Sequence, residues 1–249
     1  MSNKQKMLVS DYDGTLFVNE EGIRNNVKAI EEFRLEKNLF VIATGNNWND
    51  FQKIISKYGI KCDYLISDQG ACIFDNKNNL LKATFLDYNI SKKIINKIKQ
   101  VNKNYEICNP HNEVKTIEEN DVTKIAVNFG NLQEALNFNS EINKEFGEYV
   151  NAYTMIFEEI NIVEIISSAV DKNEAIQYLM SIEKLEKEDV YTIGNGYNDI
   201  SMIQSFNGYC MKNSVKELLE KCPNSVETVS DLIDEIKTNK SKVSGCQID

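Results

Sequence analysis

MLVSDYDGTL, Met7 to Leu16, joins a short apolar run to an acidic turn, and the fold follows from how this join is read. Met7-Leu8-Val9 has the length and composition of a buried strand, which ends at Ser10-Asp11. Further along, Ile23, Val27, Ile30 and Phe33 recur at helical spacing. Leu39-Phe40-Val41-Ile42-Ala43 is then an unbroken apolar run, which predicts a strand covered on both faces. Trp48, Phe51, Ile55 and Tyr58 predict a second helix, and Tyr64-Leu65-Ile66-Ser67 a third strand. A β-α-β-α-β order of this kind implies a parallel sheet with helices on both faces.

The last third repeats that grammar. Ala175, Ile176, Leu179 and Met180 mark a helix that leads to the strand Val190–Ile193. A short helix after Asp199, a strand at Tyr209-Cys210-Met211 and a helix through Val215, Leu218 and Leu219 follow. Ser225–Val229 and an amphipathic tail bearing Leu232, Ile233 and Ile236 close the pattern, with fraying expected after about 238. The middle differs: a helix with Ile94, Ile95, Ile98 and Val101, an alternating strand at Lys124–Phe129, a helix over Leu132–Phe146, and strands near Tyr149–Met155 and Ile160–Ile166. The expected fold class is therefore α/β, a Rossmann-like parallel-sheet core from residues 1–81 and 167–249 with an α+β domain inserted at 82–166.

The 249 residues supply enough apolar material for a large core, with 42% hydrophobic and 27% charged residues. A net charge of −10 argues against nucleic acid or an anionic membrane as partner, since both reward clustered Lys and Arg. A small anionic substrate needs only local positive charge. No apolar run approaches the ~20 residues that span a bilayer, and the N-terminal stretch lacks the apolar segment of a signal peptide. The six cysteines, at 62, 72, 108, 210, 222 and 246, form no C-x-x-C pair and are expected as reduced, buried thiols of a cytoplasmic protein. Nothing in the sequence requires more than a monomer.

In an open parallel sheet, ligands bind beyond the carboxyl ends of the strands. The first strand end presents Asp11-Tyr12-Asp13-Gly14-Thr15 and the second Thr44-Gly45-Asn46. Lys172 begins the helix after the insertion, and the strand at 190–193 runs into Gly194-Asn195-Gly196-Tyr197-Asn198-Asp199. Carboxylates, a hydroxyl and an amine converging on one edge suit phosphoryl transfer. Aspartate attacks phosphorus to form an acyl phosphate that water later hydrolyses. A dianionic phosphate repels such a carboxylate, so the site calls for a hard cation with oxygen ligands, which favours Mg²⁺. Asp11 suits both attack and metal ligation, and Asp13, two residues on, suits protonation of the leaving oxygen. Gly14 permits the tight turn that brings backbone N–H groups to the phosphate, with Thr15 and Asn198 supporting the two loops. Thr44 and Lys172 are candidate donors to the transferring oxygens.

DYDGTL at 11–16, TG at 44–45, Lys172 and GNGYND at 194–199 resemble, in that order, the four motifs of haloacid dehalogenase-like phosphatases. The insertion resembles the large α+β cap of the Cof-type, subclass IIB members. The resemblance implies Asp11 as nucleophile, Asp13 as general acid, and Thr44, Gly45 and Lys172 as the phosphate cradle. It also implies a Mg²⁺ site from Asp11, the Asp13 carbonyl, Asn195 and Asp199, and a small phosphorylated metabolite, often a sugar phosphate, as substrate. The chain departs from the family at Asn195, where an Asp ligand is usual, and at Asn46, where Arg is common. Losing a negative charge beside a divalent cation is expected to weaken Mg²⁺ binding.

Other readings compete at single residues. Lys172 reads also as a solvated first-turn residue behind Asp171 and Glu174, although a cation there opposes the helix dipole. Asp199 reads also as the N-cap of DISMIQS. His111, the only histidine, is expected in a solvated loop. Two rival functions remain: a phosphomutase, for which Lys115 and Lys124 would be the cationic contacts, and a family member that binds a phosphorylated ligand without turnover. Other chemistries lack their residues. No cysteine is followed six residues later by Arg, no Gly-Lys dipeptide makes a P-loop, no G-x-S-x-G occurs, and one histidine excludes a two-His zinc site.

Overall fold

The computed structural model describes residues 4–111, 113–114, 121–156 and 159–245. Lys115 and Cys246 lie outside them. The chain divides into two compact units, one comprising residues 1–44, 53–65 and 172–249 and the other 45–52 and 66–171. The expected insertion, 82–166, lies wholly inside the second.

The strands are β1 (Met7–Ser10), β2 (Leu39–Ala43), β3 (Tyr64–Ser67), β4 (Cys72–Asp75), β5 (Leu80–Ala83), β6 (Tyr105–Cys108) and β7 (Glu113–Val114). They continue as β8 (Lys124–Phe129), β9 (Val150–Ile156), β10 (Asn161–Ser167), β11 (Val190–Gly194), β12 (Asn207–Met211) and β13 (Ser225–Val226). The α-helices are α1 (Glu20–Leu35), α2 (Trp48–Tyr58), α3 (Tyr88–Gln100) and α4 (Leu132–Phe146), then α5 (Lys172–Glu183), α6 (Ile200–Ser205), α7 (Lys216–Lys221) and α8 (Val229–Gly245).

In the first unit the strand order is β13-β12-β11-β1-β2, every neighbouring pair parallel. Met7, Leu8, Val9, Phe40, Val41 and Ile42 are fully buried, as expected of strands covered on both faces. Helix α1 starts where the Asn19 side chain accepts the Gly22 N–H, with Glu20 and Glu21 in its first turn and Arg34 in its last, a charge order that suits the helix dipole. It buries Ile23, Ile30 and Phe33. Asn26, on the same face, donates to the Leu16 carbonyl at 3.0 Å and accepts the Ser230 N–H at 3.0 Å, tying the first loop to the start of α8. Helix α8 continues through the polar stretch to Gly245, beyond the point where fraying was expected. Once a helix is nucleated, each added residue contributes a further backbone bond, so a polar turn can propagate from an anchored one. Within Ser225–Val229 only Ser225–Val226 forms a strand, and Val229 already begins α8.

In the second unit a five-stranded sheet has the order β7-β6-β8-β10-β9, every neighbouring pair antiparallel. One of its faces joins α3 and α4 in a core of Ile94, Ile98, Ile125, Val127, Ile142 and Ile165. Asp87 and Asn131 cap the two helices by accepting the Ile90 and Glu134 N–H groups. The sequence did not reveal the β4–β5 hairpin, whose short strands stand outside the β-α-β alternation and whose turn is polar. Asn78 supplies the left-handed residue of that turn (φ 64°).

Among the described residues no helix is long and apolar enough to cross a membrane. The described cysteines 62, 72, 108, 210 and 222 are free thiols. The loop histidine, His111, is exposed as expected, yet its ring stands edge-on to Trp48 and Phe74 of the same unit, at 5.4 and 5.3 Å between centroids.

Candidate active site

Within the first unit, the parallel register places the ends of β1 and β11 side by side. Ser10 pairs with Ile193, and the Asp11 N–H continues the ladder to the Ile193 carbonyl at 2.9 Å. The Asp11 carbonyl accepts from Ser10 Oγ (2.7 Å) and from the Leu16 N–H (3.2 Å), which closes the loop behind it. Gly14 has φ +79°, and a Cβ there would stand 2.3 Å from Asn195 Nδ2. The backbone angle therefore favours glycine, and any side chain there would also displace the Asn195 amide. Asp11 is buried, whereas Asp13 is exposed on the same turn.

Lys172 opens α5, yet only 1% of it is exposed. Its Nζ donates to Asp11 Oδ1 at 2.8 Å and to Asp199 Oδ1 at 2.7 Å. The solvated reading of Lys172 fails, because a buried ammonium needs partners and two carboxylates supply them. Burial works to lower its pKa, but the charges of Asp11 and Asp199 outweigh this and hold it above the ordinary lysine value. Asp11 is pushed up to about 7, chiefly by burial and then by the charge of Asp199, with Lys172 opposing both.

The fourth loop is organised by Asp199. Its Oδ2 accepts the N–H groups of Asn195 and Gly196, both at 2.9 Å, while Oδ1 holds Lys172. The expected N-cap on α6 is not made: the carboxylate faces back into the loop, as the third residue of a 3₁₀ turn over Tyr197–Asp199. A Cβ on Gly194 would stand 2.4 Å from Asp199 Cγ, so this glycine allows the carboxylate to fold over the strand end. Asn195 Oδ1 accepts the Thr15 hydroxyl at 2.9 Å, and its carbonyl accepts the Val215 N–H at 3.0 Å. Thus Asn195 joins the first and fourth loops. Asn198 lies against Gly196, where its Oδ1 would meet a Cβ at 2.6 Å.

Asn213 was missed in the sequence. It follows β12 and donates to the Gly14 carbonyl at 3.0 Å. The signal was available, since it too stands just past a strand end.

Thr44 is buried at the end of β2 and is the last residue of the first unit before Gly45 opens the second. Within the second unit, Gly45 and Asn46 belong to a buried polar group that the sequence reading also passed over. Asp68 and Gln69 follow β3, and both adopt left-handed backbone angles. Lys124, one of two cations assigned to the phosphomutase reading, is 4% exposed and pairs with Glu164 at 2.9 Å and Asp68 at 3.5 Å. A lysine so committed is not a free substrate contact, which removes the described half of that reading's support.

A hard cation fits the donor set of the first unit. Asp11, Asp13 and Asp199 outnumber the Lys172 ammonium, and all the candidate donors are oxygens. No group of three or more His, Cys, Asp or Glu side chains forms a metal cage among the described residues. That is compatible with Mg²⁺, which is usually held by one or two carboxylates together with water and substrate phosphate.

A family model of haloacid dehalogenase-like hydrolases matches residues 8–114 and 101–232. A Buchnera aphidicola protein provisionally named a phosphatase is 25% identical over 249 residues, which cover 90% of this chain and 92% of that one. The Bacillus subtilis 5-amino-6-(5-phospho-D-ribitylamino)uracil phosphatase YwtE is 23% identical, over 87% of this chain and 91% of its own. The crystal structure of a haloacid dehalogenase-like hydrolase from Bacteroides thetaiotaomicron superposes with a TM-score of 0.79 at 17% identity, covering 94% of this chain and 100% of that one. The chain belongs to the haloacid dehalogenase-like hydrolases, of the Cof type.

Proposed function

We propose that the protein is a Mg²⁺-dependent phosphatase, acting in the cytoplasm on a small phosphorylated metabolite through a phospho-Asp11 intermediate. The observation that carries this reading is the buried Lys172 ammonium bridging Asp11 and Asp199, with Asp13 exposed on the same loop as Asp11. A carboxylate nucleophile meeting a dianionic phosphate needs fixed positive charge, and Lys172 provides it without reorganisation.

An Asp11 oxygen attacks phosphorus, the ester P–O bond breaks, and Asp13 gives its proton to the departing alkoxide. Asp13, now a carboxylate, takes a proton from water. The hydroxide attacks the acyl phosphate at phosphorus, releasing inorganic phosphate and the Asp11 carboxylate. Thr44 and Gly45 would flank the phosphoryl oxygens, while Gly14 and Thr15 shape the first loop and Asn198 the fourth. Asp11, the Asp13 carbonyl, Asn195 and Asp199 would hold Mg²⁺, which would neutralise phosphate charge.

Phosphate release from a panel of sugar phosphates is expected with Mg²⁺ and is lost in Asp11→Asn. The ribitylaminouracil phosphate named for the Bacillus subtilis relative belongs in that panel. Turnover that survives Asp11→Asn would refute the phospho-aspartate route.

A further inference from the structure

We propose that Lys124 is a positioning residue for the phosphate loop, acting through the Gly45 carbonyl; this rests on the phosphatase reading above. Lys124 begins β8 in the second unit, and its Nζ donates to the Gly45 carbonyl at 2.7 Å and to Glu164 Oε1 at 2.9 Å. Asp68 Oδ1 lies 3.5 Å away. The ammonium thus donates to one carboxylate and to a single backbone oxygen, with a second carboxylate at ion-pair distance.

The same group constrains the loop twice more. Gln69 Nε2 donates to Glu164 Oε2 at 2.9 Å and would stand 2.3 Å from a Cβ on Gly45, so the amide covers the glycine directly. The Asp68 N–H bonds the Asn46 carbonyl at 3.1 Å. Asp68 Oδ2 is itself held by the Thr123 hydroxyl at 2.9 Å. Three contacts therefore fall on the two residues that follow Thr44. A glycine is the residue least able to hold its own dihedral angles, and here outside contacts hold them instead.

Stability alone does not account for the arrangement. Burying an ion triad is costly, and well-packed apolar residues of similar volume are commonly as stable or more so. What an apolar replacement would not supply is a donor for the Gly45 carbonyl. In a planar trans peptide the carbonyl and the following N–H point in opposite directions. Clamping Gly45 O on Lys124 therefore aims the Asn46 N–H away from the ammonium and fixes the peptide that continues from the Thr44–Gly45 motif. A small misplacement of a positioning group can lower turnover by about 100-fold, which is the scale on which such a clamp acts.

The test compares the full-length wild type with Lys124→Met/Glu164→Gln, which removes a positive and a negative charge together, and with Lys124→Arg, which keeps the charge but alters its geometry. Thermal unfolding shows that each variant is folded. With Mg²⁺ and an active ester from the panel, the double variant is expected to lose roughly 10- to 100-fold in kcat, with a smaller change in KM. Lys124→Arg is expected to recover the melting temperature more fully than kcat. Orthovanadate binding, read by calorimetry, is expected to weaken at least about tenfold in the double variant. Folded variants with wild-type kcat and wild-type vanadate affinity would overturn the proposal. Should the wild type turn over no ester, the phosphatase reading fails by itself, and the vanadate comparison still decides whether Lys124 orders an oxyanion site. If either substitution prevents folding, the other decides by the same two readouts, and loss of folding in both would overturn the proposal in favour of a purely structural role.

Discussion

Asn195 shows how one side chain serves two loops. Its Oδ1 takes the Thr15 hydroxyl while the other end of the amide lies over Gly14, so it links the nucleophile loop to the fourth loop. An aspartate has the same shape and keeps the Thr15 bond, and adds one negative charge beside the proposed cation. Asn195→Asp is therefore expected to lower the Mg²⁺ concentration for half-maximal activity by roughly tenfold, about 1.4 kcal/mol. A Mg²⁺ titration of phosphate release checks this, and an unchanged requirement would place residue 195 outside the metal shell. Asp199 differs in kind. With one oxygen on Lys172 and the other on two backbone N–H groups, it already organises its loop before any ligand arrives.

At the level of elements, the site depends on how closely strands and helices approach. A Cβ on Gly208 of β12 would stand 1.9 Å from the Ile203 carbonyl oxygen of α6, a backbone atom that cannot rotate away. Gly208→Ala is expected to destabilise the protein by about 1–3 kcal/mol or more, measured by urea unfolding. The consequence reaches function, because α6 follows directly from Asp199 and β12 leads to Asn213. The element pattern was largely legible in the sequence. Helix α4 coincides with its predicted range, and β1, β2, β3 and β11 fall where apolar runs stop at polar turns. The β4–β5 hairpin, β6 and β7 were not, since they are short and stand outside the β-α-β alternation that marks β1, β2 and β3.

At the scale of the molecule, two compact units each bury their own core. The chain passes between them after Thr44, Gln52, Leu65 and Asp171, so the second unit draws on two separate stretches of sequence. Ile165 is fully buried in the second core. Ile165→Ala is expected to cost about 2–5 kcal/mol there. Amide hydrogen exchange should then quicken in β8, β9 and β10 and stay near wild-type rates in β1, β2 and β11, because local opening follows contiguous cooperative units. Equal acceleration in both sets would show that the two units unfold as one.

By itself the sequence determined the parallel α/β core and the residues standing at its strand ends, since apolar periodicity and turn chemistry are local properties that survive without a partner. It also carried the order of the four motifs, because that order is simply chain order. Only the tertiary structure decided the pairing of charges. Lys172 had a solvated reading and a phosphate reading, and burial between Asp11 and Asp199 resolved the first while adding partners neither reading contained. Lys124, Asp68, Gln69 and Glu164 are separated by up to 96 residues in sequence, and no spacing rule joins them. Their meeting is set by sheet register and burial, which act at a distance along the chain that local pattern cannot see.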